Sequence, residues 1–186
     1  MDNPIVVLRY DSTWPALFQS LRRRIADALD DMAAAIEHVG STAVPGLVAK
    51  PIIDIDVLLA YEMMLPEAIE RLASIGYIHR GDLGILEREA FRAPAGDPPH
   101  HLYVCPPSSG EFRRHLAFRD YLRAHAEDAR IYGDLKIALA ERFREDRPAY
   151  NAAKSEFVMD MTSRAIAAAL IKNKRAGPFE ANETAA

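Results

Sequence analysis

The 186-residue chain is poor in the features that would place it outside the ordinary soluble enzymes and binding proteins. It has one cysteine, Cys105, so no internal disulfide can form, and a reducing cytoplasm is the expected compartment. Cys105 ends an apolar run beside Pro106, which predicts a buried structural thiol. The net charge of −4 lacks the basic excess that coats long polyanions, so nucleic acid is not the expected partner. No apolar run is long enough to span a bilayer, and the opening MDNPIVVLRYD lacks the apolar core of a signal peptide. Internal repeats and low-complexity blocks are also missing.

What the chain does have is a dense centre, Ile36 to Leu59. Ala35–Val39 reads as a short strand that runs into Gly40-Ser41-Thr42, a turn or short helix closed by Pro45-Gly46. A glycine without Cβ would let a phosphate approach the backbone, and Ser41 and Thr42 would donate amides and hydroxyls to it. The next strand carries Asp54 and Asp56. Residues two apart on a strand share a face, so the carboxylates project together while Ile53, Ile55 and Val57 face a core. Two adjacent like charges are relieved by a divalent cation with hard oxygen ligands, Mg²⁺ or Mn²⁺. The alternative is a solvated edge strand with two surface aspartates.

Around this centre the pattern predicts a strand at Ile5–Leu8, then a helix on the stripe Phe18, Leu21, Ile25, Leu29 and Met32. A second helix covers Leu65–Ile75 and is closed by Gly76. Tyr77–His79 is predicted as a brief strand, Ile85–Arg92 as an alternating strand and His101–Val104 as another. After Pro106-Pro107 the period changes to helical: one helix capped by Ser108 or Ser109, one over Glu127–Arg144 with Ile131, Leu135, Ala138 and Leu139 inward, and one from Pro148 to about Leu170. The expected fold class is α+β: a mixed β-sheet with flanking helices over 1–107, a helical bundle over 108–172, and a flexible tail over 173–186.

The stretch HVGSTAVPGLVAKPIIDIDV resembles the GrpB family, small bacterial proteins placed in the nucleotidyltransferase superfamily, whose signature is a Gly-Ser followed by a D-x-D strand. The likeness extends to Tyr10-Asp11, Trp14-Pro15 and Phe18, to His115–Arg123, and to Tyr150 with Lys154. Similar domains are fused to some dephospho-coenzyme A kinases, but a kinase phosphate loop is not found here. The resemblance implies a nucleoside triphosphate donor, Mg²⁺ held by Asp54 and Asp56, and an acceptor that is a small molecule or a protein side chain. A catalytically degenerate module that binds a nucleotide or coenzyme A-like metabolite is the alternative, and an interaction protein with a structural D-x-D is a third reading.

Superfamily enzymes add a third carboxylate from a later strand. Glu87 and Glu89 are the candidates, with Glu89 preferred as nearer the strand's middle, although both also suit surface ion pairs. His101, or less so His100, could ligate metal, contact phosphate or replace the acid as a base. Lys50, Arg88, Arg92, Arg114, Arg119 and Lys154 are the candidate phosphate cations. Arg119 equally suits an ion pair that pins the helices to the sheet. Tyr150 is either a stacking platform for the base or part of the core.

Overall fold

The computed structural model describes residues 4–175, with side chains through 167. Helix α1 (Trp14–Leu29) starts at Trp14-Pro15, where proline needs no amide partner, and Asp11 accepts from the Thr13 amide and hydroxyl just before it. Its apolar stripe, Trp14, Phe18, Leu21, Ile25 and Leu29, is buried as the sequence period requires. A 3₁₀ turn, Asp30–Met32, then leads to strand β1 (Ala33–Val39).

One further 3₁₀ turn, Ser41–Ala43, precedes β2 (Ile53–Leu59). The remaining elements are a third 3₁₀ turn (Glu62–Met64), α2 (Leu65–Ser74), β3 (Ile78–His79), β4 (Glu89–Arg92), β5 (His100–Cys105), α3 (Gly110–Ala124), α4 (Ala126–Arg142) and α5 (Arg147–Arg175). The five strands form one mixed sheet in the order β1-β2-β5-β4-β3. β2 runs antiparallel to β1 and parallel to β5.

The expected α+β class with a mixed sheet is what the chain adopts. One sheet face carries Ile53, Ile55, Val57, Leu102 and Val104 into a core shared with α1 and α2. The other face carries Asp54 and Asp56 and lies towards α3, α4 and α5, which pack through a separate cluster of Val44, Leu47, Phe118, Leu122, Tyr132 and Met161. The predicted buried thiol is there: Cys105 is almost wholly enclosed, and burial pushes its pKa up to about 12.

Several predicted elements differ. Ile5–Leu8 is not a strand, and only Leu8 bridges to Ala49. The strand expected over Ile85–Arg92 shrinks to Glu89–Arg92, because Glu87 (φ 57°) adopts left-handed backbone that no strand accommodates. Of the two capping serines, Ser109 is used, its Oγ accepting from the Phe112 amide at 3.1 Å. On α4 the inward stripe is Tyr132, Gly133, Lys136, Leu139 and Ala140, so Ile131 turns outward. The expected tail from 173 is corrected in part, since α5 continues to Arg175. The rest of that segment lies outside the described residues.

Candidate functional site

Asp54 and Asp56 stand in register with Val39 and Glu37 on β1, and with His101 and Tyr103 on β5. All of these therefore share one face. Carboxylates only accept hydrogen bonds, so His101 Nδ1–H donates to Asp54 Oδ1 at 2.8 Å, and His115 Nδ1–H donates to Asp56 Oδ2 at 2.7 Å. His115 Nε2 meets Glu111 Oε1 at 3.2 Å, so both its nitrogens face carboxylates. Burial opposes its charge, but Asp56 and Glu111 outweigh burial and raise its pKa to about 9. Asp56 is fully enclosed; burial raises its pKa against the pull of His115, and its Oδ1 has no hydrogen-bond partner.

The Gly40 turn is built differently from the expected cradle. Gly40 sits at φ 71°, ψ −169°, and an added Cβ would fall on Asp54 Oδ2. The missing Cβ makes room for the Asp54 carboxylate. The buried Thr42 hydroxyl is engaged within the turn: it accepts from His38 Nε2 at 3.0 Å and donates to the Ile52 carbonyl at 3.4 Å. Burial lowers the His38 pKa to about 4, so the ring is neutral at pH 7 and donates as the Nε2–H tautomer. Thr42 therefore shapes the turn, and Ser41 is the hydroxyl next to the site cations.

Ser41 Oγ accepts from Lys136 Nζ at 2.9 Å, and the same ammonium donates to the Val48 carbonyl. Lys136 is 3% exposed on α4, and burial lowers its pKa to about 7. Beside it a cavity of about 240 Å³ is lined by Ser41, Asp54 and His101 and by four cations, Lys50, Lys136, Arg147 and Lys154. Burial, helped by the neighbouring charges of Lys154 and Arg147, lowers the Lys50 pKa to about 8. Burial also lowers that of Lys154. A second cavity, about 460 Å³, shares Ser41, Asp54 and Lys154 and extends past Arg88, Tyr103 and Arg114 to Phe118, Val158 and Met159.

Other candidates fall outside this arrangement. Glu89 pairs in register with Val104, on the face opposite the aspartates, and its carboxylate meets His79 Nε2 at 2.6 Å. It is not a third acid on the Asp54/Asp56 face. Glu87 caps α3 through the Gly110 amide. His100 is turned to Tyr77 Oη and the Pro98 carbonyl. Arg119 binds Glu37, Asp120 and the His38 carbonyl, so it pins α3 to β1 and does not reach the cleft. Arg92 is the register partner of His101 but is exposed and lines neither cavity.

Tyr150 is a core residue, 1% exposed, with Lys50 and Lys154 at 4.2 and 5.2 Å from its ring centre. Its ring holds the lysines, and at that burial it is core rather than an open platform for a base. Lys50, Lys154, Arg88 and Arg114 are brought to the cavities as expected. Lys136, Arg147 and His115 were not among the sequence candidates. The signal for Lys136 is a lysine on the otherwise uncharged inward stripe of α4.

Among the described residues no set of three His, Cys, Asp or Glu side chains is disposed to hold a metal ion. The pair Asp54 and Asp56 nevertheless suits one: both are hard oxygen donors, and the buried Asp56 Oδ1 lacks any partner. Mg²⁺ is commonly held by one or two carboxylates and completed by water and substrate phosphates.

Comparison with known proteins places this chain within a family. A UPF0157 protein of Pseudomonas aeruginosa is 41% identical over 173 residues, spanning 90% of this chain and 70% of its own. A UPF0157 protein of Halalkalibacterium halodurans is 37% identical over 162 residues, 87% of this chain and 82% of its own. The crystal structure of conserved protein GrpB from Enterococcus faecalis superposes with a TM-score of 0.82 at 30% identity, covering 89% of this chain and 99% of that one. With the GrpB protein family profile matching residues 4–164, the chain belongs to the GrpB family.

Proposed function

We propose that the cleft binds a nucleoside triphosphate with Mg²⁺ and transfers its nucleotidyl group to an acceptor. The observation that carries this reading is a carboxylate pair on β2 flanking a pocket of four cations, with Asp54 common to both. A triphosphate supplies the negative charge that Lys50, Lys136, Arg147 and Lys154 lack, and Ser41 adds a hydroxyl. Asp54 and Asp56 would hold the metal, which when bound neutralises charge on the transferring phosphate.

In the transfer, an acceptor hydroxyl forms a bond to the α-phosphorus as the bond from that phosphorus to the bridging oxygen breaks. Pyrophosphate leaves, and the hydroxyl proton needs a base. His101 suits this role: its Nδ1–H is committed to Asp54, so the Nε2 lone pair is available on a side chain that is 48% exposed. The second reading, a module that binds nucleotide without turnover, is favoured by Glu89 lying on the opposite sheet face.

Titration calorimetry with ATP, with and without Mg²⁺, tests the site. The expected outcome is Mg²⁺-dependent binding that Asp54→Asn makes metal-independent and that Lys136→Met weakens roughly 10- to 100-fold, the worth of a charge-assisted hydrogen bond. An Asp54→Asn protein that binds ATP with unchanged Mg²⁺ dependence would remove the assignment. Pyrophosphate release across an acceptor panel separates transfer from binding alone.

Proton uptake gives an independent check. At pH 8 Lys50 and Lys136, with pKa values lowered to about 8 and about 7, are partly neutral. A triphosphate between them favours their charged forms, so binding should take up protons at pH 8 and little at pH 6. Calorimetry in buffers of different ionisation enthalpy reads this directly. Zero uptake at pH 8 would put the phosphates elsewhere.

A further inference from the structure

Arg88 precedes β4 and is 9% exposed in the wall of the 460 Å³ cavity. Its Nε is buried with no hydrogen-bond partner. Its ion-pair partner, Glu111 Oε1, stands 4.0 Å from Nη1, beyond hydrogen-bond reach. Glu111 is already taken by Arg114, at 2.8 Å from its Nε, and by His115. The guanidinium instead lies 4.2 Å from the Tyr103 ring centre. A desolvated guanidinium with unmade hydrogen bonds is costly, and its planar fork matches an oxyanion with two oxygens in one plane.

Arg88 does not line the lysine pocket, whereas Asp54 lines both cavities. We propose that the larger cavity seats a small acceptor whose carboxylate or phosphate is gripped by Arg88, on the other side of Asp54 from the triphosphate. The acceptor role rests on the nucleotidyl-transfer reading above; the oxyanion site itself does not. The acceptor's hydroxyl would then lie towards Asp54 while its anion is anchored at Arg88. Selection of an anionic acceptor follows, since a neutral analogue would leave the Arg88 donors unmade.

The Arg88 Nε–Hε resonance, assigned by its loss in Arg88→Gln, reports on the site directly. Wild-type protein is titrated with glutarate and with inorganic phosphate, in the presence and absence of Mg²⁺ and a non-hydrolysable ATP analogue. The expected result is a saturable shift of this resonance by one of the two anions, which identifies the class, and binding weakened roughly 10- to 100-fold in Arg88→Gln. The ATP analogue should bind alongside the anion. Arg88→Lys replaces the glutamine variant if the latter fails to fold, and it should weaken the anion less.

No shift with either anion would overturn the proposal and leave Arg88 as a counter-charge to Glu111 and Asp56. Mutual competition between the anion and the ATP analogue would also overturn it, by assigning Arg88 to the triphosphate. Failure of the nucleotide reading is seen separately, as no analogue binding in wild-type protein, and in that case a saturable anion shift still supports the oxyanion site.

Discussion

Gly40→Ala is expected to cost stability and to abolish metal-dependent nucleotide binding together. Backbone at φ 71°, ψ −169° is close to the region that only glycine occupies readily, and a side chain forced there costs about 1–3 kcal/mol. The added Cβ would also fall on Asp54 Oδ2 and within 3.0 Å of its Cγ, so the aspartate must leave its place beside His101. Gly46→Ala is the matching control. Gly46 has φ 80° but nothing within 4 Å of its added Cβ, so strain appears there without displacement of Asp54. Urea denaturation should register a loss in both proteins, whereas calorimetry with Mg²⁺ and ATP should lose binding in the Gly40 variant alone. Binding retained by Gly40→Ala would mean that Asp54 is not a ligand of the complex.

His115→Leu should be the most destabilising change in the cleft, at about 3–5 kcal/mol, because it strands the enclosed Asp56 carboxylate without its partner. The same pair predicts a pH dependence. The His115 pKa rises from 6.5 to about 9 on folding, so its stabilisation is complete below pH 6.5 and is lost as pH rises through 9. Burial raises the Asp56 pKa, which acts in the same direction, because the folded pair holds its proton more tightly.

Lys136 works the other way. Its pKa falls from 10.5 to about 7, so the protein gains stability as pH rises from 7 towards 10.5, and Lys50, at about 8, adds to this. Between pH 7 and 9 the two slopes oppose each other in the wild-type chain. Lys136→Met should expose the fall between pH 7 and 8, below the Lys50 rise, and His115→Leu should expose the rise. Urea denaturation at half-unit intervals of pH checks both, and parallel profiles in the two variants would show that neither group titrates as described.

The parts of the site that local pattern encodes were legible in the sequence. Asp54 and Asp56 follow from strand period, Trp14–Leu29 from helix period, and the turn at Gly40 from its glycine. Residues whose role depends on a distant partner were not. Glu89 looked central in an eight-residue strand, but the backbone at Glu87 shortens that strand and the register turns Glu89 away. On α4 Leu135 and Leu139 do face inward, but Ile131 and Ala138 do not, and the inward positions include Lys136, whose carbonyl and hydroxyl partners lie about ninety residues earlier. Thr42 and Arg119 had the right chemistry for a ligand but spend it on His38, Ile52 and Glu37.

Lys136, Arg147 and Lys154 come from α4 and α5, whereas both aspartates come from β2. In the proposed complex the strand would bring the metal affinity and the helices most of the anion affinity, so neither half alone would discriminate a chelated triphosphate from a bare cation or a bare anion. Selectivity would be a logical AND of two sources, written in electrostatics. A ligand that meets both conditions would also clamp the helices to the sheet, and nucleotide occupancy should then be readable at the α5 backbone as slowed amide exchange.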